Sequence, residues 1–328
     1  MEFNQDQALQ LACEKLMKSG ATKENALPLA RGIIDAENQG IKSHGFHYLP
    51  IYCLHLQCQK VNGEATPSLT TISQSAFKVD ADNGFAHRAI DLAFDKLIPS
   101  AQEFGIASVG IQKSYNCGVL GYHAKNLALH GLVGISFTNE PASIAPAGGT
   151  KAIVGTNPFS IAVPVNGEVK LIIDQSASVV AKSEISVRAK NNESIPEGWA
   201  YGPDGQTTTD AKVALTGTMA PSGGYKGFGI GLLVEIMAAC LGGGVLGTQA
   251  SSFANDVGGP PATGQFFIAF NPEKFNENFN SQINTLLSSI ESQEGARIPG
   301  SSRMKNFEAN KNSPISIKEA LFETISNI

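Results

Sequence analysis

The segment Ile-Ala-Ser-Val-Gly-Ile at 106–111 constrains the fold more than any other stretch of the chain. It is short, apolar on both alternating faces and bounded by turn residues, the pattern of a strand covered on both sides. Amphipathic helical patterns flank it. Ala89, Leu92, Ala93 and Leu97 share one face of a helix over 86–98, which Pro99 is expected to end or bend, and a second helix is expected over 122–130. Further strand patterns lie at 133–138, 153–154, 159–163, 169–174 and 266–270, and a β-like stretch at 68–80. A polar connection is expected over 191–210, a long apolar helix over 223–242, and closing helices over 276–291 and 317–325. Strands and helices mixed in this order predict an α/β fold with a three-layer core. An ordinary dinucleotide-binding unit needs G-x-G-x-x-G directly after a strand. None of the 34 glycines falls in that context, and Gly242-Gly243-Gly244 reads as a helix stop.

Ahead of the strands, residues 4–37 read as two helices joined at Ser19-Gly20-Ala21-Thr22. Thr22 or Asn25 can cap the second, and Pro28 favours Asn25, because proline is tolerated in a first turn. Ala26, Leu29, Ala30, Ile33 and Ile34 recur at helical spacing over 25–37, and Gly40 supplies a stop. Ser43-His44-Gly45 follows in the turn, before a third helix opening near Leu49 with Pro50 in its first turn. A histidine on a turn beside a hydroxyl suits a proton donor of adjustable pKa, and a plain helix-end cap is the alternative.

A net charge of −5 provides no basic surface for nucleic acid or anionic lipid. No apolar run approaches the roughly 20 residues that cross a bilayer, and the longest, 230–241, contains Glu235. The N-terminus carries no signal-peptide pattern, so a cytoplasmic location is expected. Five scattered cysteines without C-x-x-C spacing argue against disulfides and structural zinc, and no H-E-x-x-H pattern or similar set suggests a metal.

Several loops carry candidate chemistry. Asn116-Cys117-Gly118-Val119-Leu120 opens a helix, so its N–H groups form either an anion site for a cofactor phosphate or a plain tight turn. Cys117 is a nucleophile at a helix start or a buried thiol. Asp174 ends a strand and Glu184 lies ten residues on; either can orient His44, or both are caps and surface groups. Gly223-Gly224-Tyr225-Lys226-Gly227 starts a helix with a cation, which suits a phosphate or leaves a solvated lysine.

Taken together, Ser43-His44-Gly45, Gly155-Thr156-Asn157-Pro158, Asp174 with Ser176 and Ser178, Lys226-Gly227-Phe228-Gly229 leading into Leu233-Val234-Glu235, and Arg303 after Pro299-Gly300 resemble the malate/L-lactate dehydrogenase family that lacks a Rossmann fold. The match runs over almost the whole chain, in the family's order. The resemblance implies a three-layer α/β fold with a mixed sheet and a helical N-terminal part, dimeric assembly, and NAD(P)H-dependent reduction at the carbon next to a carboxylate. It divides the chain into a discontinuous substrate part, 1–115 with 285–328, and an NAD(P)H-binding part, 116–284. The segments at 116–118, 139–146 and 195–200 look most like the branch that reduces 1-pyrroline-2-carboxylate and 1-piperideine-2-carboxylate.

By that resemblance His44 is the proton donor, with Ser43 and Glu184 as relay, and Thr156 touches substrate. Asn116, Cys117, Gly118, Val119, Leu120, Asp174, Gln175, Ser176, Lys226, Gly227 and Arg303 hold the cofactor, NADPH in preference to NADH. Many members place an arginine five residues after the motif serine, where it grips the substrate carboxylate. This chain has Tyr48 there, so the carboxylate falls to Tyr48, to backbone N–H groups or to another cation. The expected reaction is reduction of 1-pyrroline-2-carboxylate to L-proline. The rivals are a 2-keto acid reductase, a silent nucleotide-binding member of the fold, and a thiol hydrolase using Cys117.

Overall fold

The computed structural model describes all residues, Met1–Ile328. The chain opens with strand β1 (Glu2–Phe3) and helices α1 (Gln5–Lys18), α2 (Lys23–Gln39) and α3 (Leu49–Gln57). Asn4 caps α1 with its side chain, and Gln7 returns the bond to the Asn4 N–H. Helix α2 starts three residues earlier than its proline suggests. Thr22 is the cap and Pro28 lies inside the helix, while the Asn25 amide is spent on Thr22 Oγ1 and the Gly63 and Ala65 carbonyls. Apolar faces of these helices bury Ala8, Ala12, Leu16, Leu29, Ile33, Leu49 and Tyr52 together.

Next come β2 (Ser68–Ser73), β3 (Ala76–Asp80), α4 (Ala86–Phe104), β4 (Ile106–Ser114), α5 (Leu120–Leu129), β5 (Val133–Thr138), β6 (Phe159–Val165) and β7 (Glu168–Gln175). Pro99 does not end α4, which runs on to Phe104 and stops at Gly105. Burial of Ala93, Leu97 and Ala101 along one side outweighs the hydrogen bond the proline removes. The remainder comprises α6 (Lys182–Asn191), β8 (Ala200–Tyr201), α7 (Ala211–Thr216), β9 (Thr218–Met219), α8 (Tyr225–Glu235) with a π-helical continuation over Ile236–Leu241, β10 (Thr263–Phe270), α9 (Pro272–Phe275), α10 (Phe279–Glu291), α11 (Ser301–Asn310), β11 (Ile315–Ser316) and α12 (Glu319–Ser326). Helix α6, the β8–β9 pair, α11 and β11 have no clear trace in the sequence pattern. Residues 153–154 make only an isolated bridge, Val154 to Ile144, rather than a strand.

Seven strands form one mixed sheet in the order β2-β3-β4-β10-β5-β6-β7, in which only β3 and β4 run parallel. The alternation along β10 explains the layers. Phe267 and Ala269 point into a cluster with Ile90 and Leu97 of α4 and Leu120 and Leu127 of α5. Phe266 and Ile268 point the other way, against Val234 and Met237 of α8 and its continuation. The three-layer core is therefore helices, sheet, helices. Strand β10 bonds to β4 on one side and β5 on the other, so the sheet joins residues from both sides of position 115. No helix is long and apolar enough to cross a membrane.

A buried carboxylate ties the strand ends together. Glu235 accepts from the Gly247 N–H at 2.6 Å and from the Asn157 amide at 2.7 Å. Asn157, fully buried at φ 36°, also donates to the Gly231 carbonyl at 2.9 Å and accepts from the Glu140 N–H at 3.0 Å. Asparagine is among the few residues that tolerate this left-handed backbone. Asn157→Ala should strand these partners and lower unfolding stability by about 2–4 kcal/mol, read from urea denaturation; a loss below about 1 kcal/mol would show that water replaces the amide.

Candidate active site

The turn that carries His44 is built on Glu37, a buried carboxylate in the last turn of α2. Glu37 pairs with Lys42 and accepts from the Phe46 N–H at 2.8 Å, which folds residues 42–44 into a single 3₁₀ turn. A Cβ on Gly45 would fall 2.1 Å from Glu37 Oε1, so only glycine lets the turn close on that carboxylate. Ser43 Oγ and His44 Nδ1 lie 3.1 Å apart. That contact engages Nδ1 and leaves Nε2 as the nitrogen free to exchange a proton with a substrate.

His44 is half-buried beside an ion pair. Asp174, at the end of β7, receives Arg303 Nη1 of α11 at 2.8 Å. Asp174 also packs on the first turn of α5, where a Cβ on Gly121 would sit 2.9 Å from its Oδ2. Burial lowers the His44 pKa below the ordinary histidine value, with Asp174 opposing the shift and Arg303 reinforcing it. Asp174 thus favours the charged imidazole. Glu184, the relay partner that the resemblance implies, makes no hydrogen bond to His44 in this structure. It lies on α6 and pairs with Arg188 one turn on at 3.1 Å, an i,i+4 pairing that helix geometry supplies locally.

Tyr48 stands at the start of α3, stacked edge-on against Tyr52 at 4.7 Å, with its hydroxyl 3.4 Å from the Phe253 carbonyl. Burial raises its pKa, as does the nearby Glu140 carboxylate, while Asn116 opposes. Phe253 belongs to a loop anchored on the helical layer. The Lys60 ammonium, fully buried, donates to the carbonyls of Ser252, Asn255 and Val257 at 2.6, 3.0 and 2.8 Å. His55 Nε2 meets the Asn255 carbonyl at 2.9 Å, and its Nδ1 meets the Tyr115 hydroxyl. Lys60 and His55 lie about 190–200 residues from the carbonyls of this loop that they meet, and no local pattern announces them.

The loop from Asn116 to Leu120 is knit to its surroundings. Asn116 Oδ1 accepts from the Gly118 N–H at 2.6 Å, and the Cys117 carbonyl meets His123 Nε2 at 2.9 Å. The side chains of Cys117, Val119 and Leu120 are buried, so only Asn116, Gly118 and the main chain face outward. Burial pushes the Cys117 thiol up to about 12, which leaves it without nucleophilic character at neutral pH. Beneath the loop His87 and His123 stack 5.3 Å apart, with burial lowering the pKa of both.

Thr156 Oγ1 donates to Glu140 Oε2 at 2.5 Å. Gln175 is exposed, and Ser176 Oγ lies 3.1 Å from Ser178 Oγ. The strand end runs on beside the start of α8 through Ser222 N–H to Ala177 carbonyl and Val179 N–H to Ala220 carbonyl bonds. At that start Lys226 is exposed and pairs with no carboxylate, Gly227 is buried, and Gly224 caps the helix without a side chain. One neighbourhood therefore joins His44, Asp174, Arg303, Tyr48, Asn116, Cys117 and Glu140; Lys226 adjoins it along the chain's own pairing. Glu140, whose burial raises its pKa, stands in a segment the sequence marks only as a loop.

These features define an α/β protein with a histidine held between a hydroxyl and a carboxylate–arginine pair. The malate/L-lactate dehydrogenase profile matches residues 3–326, and the chain belongs to that family. It is 39% identical to the (2R)-3-sulfolactate dehydrogenase (NADP(+)) of Chromohalobacter salexigens over 89% of this chain and 88% of that protein. It is 34% identical to the Delta(1)-pyrroline-2-carboxylate reductase of Ancylobacter novellus over 95% of this chain and 93% of that protein. Among solved structures, delta1-piperideine-2-carboxylate reductase from Pseudomonas syringae superposes with a TM-score of 0.93 at 28% identity, covering 100% of this chain and 99% of that one.

The depressed His44 pKa fixes the sign of a pH test. With His44 as the proton donor of a reduction, the imidazole must be protonated, so kcat/KM should fall as pH rises through a value below the ordinary histidine pKa. Asp174→Asn removes the group that raises it, and should move that fall to still lower pH in a pH–rate profile. An unmoved profile would separate Asp174 from the proton donor.

Proposed function

We propose that the protein is an NADPH-dependent reductase of a small cyclic imino acid, 1-pyrroline-2-carboxylate giving L-proline, with the six-membered ring as a second substrate. The observation that carries this reading is His44, with Nδ1 engaged by Ser43 Oγ and its charge supported by Asp174. His44 Nε2 delivers a proton to the ring nitrogen, Ser43 Oγ holds the imidazole from the other side, and Asp174 offsets the cost of charging it. The bound cofactor supplies a hydride to the ring carbon that carries the carboxylate.

The chain offers a donor set that fits a dinucleotide. The α8 start combines free backbone N–H groups, no side-chain cap and an unpaired Lys226, which suits phosphates. Gln175 and Ser176 lie on the adjoining strand end, and Asn116 and Gly118 present polar atoms beside Tyr48. Asp174 packs on the first turn of α5, so that helix start would repel a phosphate rather than hold one.

The substrate assignment rests on charge. Arg303 is already paired with Asp174, and Tyr48 replaces a cation, so a second acidic group on a substrate has no obvious partner. Burying an unpaired carboxylate costs several kcal/mol, roughly enough to exclude a dicarboxylate. The 39% identity to a sulfolactate dehydrogenase favours a second reading, a 2-oxo acid reductase using the same histidine on a carbonyl oxygen. Following NADPH oxidation with the cyclic imines, pyruvate, oxaloacetate and sulfopyruvate decides between them. The imines should give the higher kcat/KM, and Tyr48→Phe should weaken substrate binding by about 0.5–3 kcal/mol. Equal or better turnover of a 2-oxo acid establishes the second reading.

We also propose that the molecule is a homodimer. Helix α8 and its continuation leave Leu232, Leu233, Ile236 and Leu241 exposed at 41, 46, 48 and 63%, an apolar stripe that a second copy would cover. Sedimentation should show a dimer, and Leu233→Asp with Ile236→Asp a monomer; a monomeric native chain would leave the stripe to some other contact.

A further inference from the structure

The loop that carries Phe253 has no regular structure, and residues 254–257 are exposed. Its internal bonds are local: Ala254 N–H to Ser252 Oγ at 3.0 Å and Val257 N–H to Asn255 Oδ1 at 3.2 Å. Every hydrogen bond that fastens 252–257 to the rest of the protein ends on Lys60, His55 or Tyr48. All three belong to α3 or its flanks. Tyr48 caps the start of α3 and donates its N–H to the Gly45 carbonyl at 3.0 Å. The turn that displays His44 and the loop that carries Phe253 are therefore attached to one helix. An ammonium has three N–H donors, and Lys60 spends all of them on the carbonyls of Ser252, Asn255 and Val257. None is left for a substrate.

The geometry points to Lys60 as a positioning residue for substrate binding, which fixes the Phe253 carbonyl against Tyr48 and so aims the hydroxyl that takes the substrate carboxylate. The inference rests on the reductase reading, in which that carboxylate falls to Tyr48. The hydroxyl has a single proton to donate, and what it meets before substrate arrives sets its direction. The Tyr48 ring is fixed edge-on against Tyr52, and the Phe253 ring packs on Tyr115 at 5.1 Å. The contact from the Tyr48 hydroxyl to the Phe253 carbonyl, at 3.4 Å, is longer than an ordinary O–H···O bond. A substrate carboxylate outcompetes it with a shorter, charge-assisted one. Removing the Lys60 charge strands three carbonyls and leaves His55 as the sole anchor apart from Tyr48 itself. A cation thus serves the carboxylate at second hand, through a loop and a phenol, where an arginine in place of Tyr48 would grip it directly.

The test is Lys60→Met, which keeps the length of the side chain and removes its donors, made in the native and in the Tyr48→Phe background. In the native background KM for 1-pyrroline-2-carboxylate should rise fivefold or more, with kcat within threefold and NADPH binding unchanged by fluorescence titration. In the Tyr48→Phe background the same change should move KM less than twofold, because the hydroxyl through which Lys60 acts is gone. A smaller rise in the native background, or an equal rise in both, overturns the assignment and leaves Lys60 a purely structural residue. Should Lys60→Met fail to fold, His55→Phe, which removes a different bond to the same loop, is read in the same two backgrounds against the same limits. A native enzyme that prefers pyruvate overturns the imine reading alone. Both substrates carry the carboxylate that Tyr48 takes, and the comparison is then made with pyruvate. A native enzyme that reduces neither overturns the reductase reading, and the inference with it.

Discussion

The site depends on Glu235, a buried carboxylate at the end of α8. It sits where α8 gives way to the wider π-helical turn, and its two oxygens gather the Asn157 amide and the Gly247 N–H, which arrive from separate loops. Asn157 passes the constraint on to Glu140, and Thr156, its neighbour, fixes the Glu140 side chain. The charge is buried, but hydrogen bonds to both oxygens offset its desolvation, the condition under which a buried ion is tolerable. The loops at 139–140 and 155–157 are thus one hydrogen-bonded unit with Glu235 at the end of α8.

The catalytic face is organised by a different route. His44 is displayed on a turn closed over Glu37, and the charge it faces comes from β7 and α11. Helix α11 also holds the end of α2, through Asn306 to the Gln39 carbonyl at 3.2 Å and Asn310 to the Asn38 carbonyl at 3.1 Å. The same helix therefore positions the turn that carries the histidine and supplies the arginine that balances Asp174. One rigid element sets both geometry and potential.

How much of this could be read from the chain follows from the range of each interaction. The mixed α/β architecture and most sheet strands are local, because period-2 and period-3.6 patterns report burial directly. Ser43-His44-Gly45 was readable as a turn, since Gly40 ends a clear helix. That Asp174 lies beside His44 was not readable by position. Asp174 and Glu184 look alike in sequence, and only the β7 to α11 contact separates them. Pro99 misled because burial of the α4 face exceeds the cost of one missing hydrogen bond. The Lys60 anchor and the Glu140 carboxylate left no pattern at all, being defined by partners that arrive from elsewhere in the chain. Helix α6 was lost for a related reason: its exposed face is polar, and only Ile185 and Ala189 are buried.

The pairing of the two ends of the chain carries a consequence for synthesis. Strand β1 bonds to β11, Phe3 opposite Ile315, and the Met1 ammonium donates to the Ile317 carbonyl across 316 positions. Ile315, Ile317 and Ile325 complete the apolar cluster of α1, α2 and α3. On a ribosome those first helices emerge about 300 residues before Ile315–Ile325, and their cluster stays open until that segment has been made. Nascent chains of this protein must therefore keep an unfinished apolar surface in solution for most of their elongation time, tens of seconds or so at about 5–20 residues per second. The segment most in need of a chaperone is the one made first.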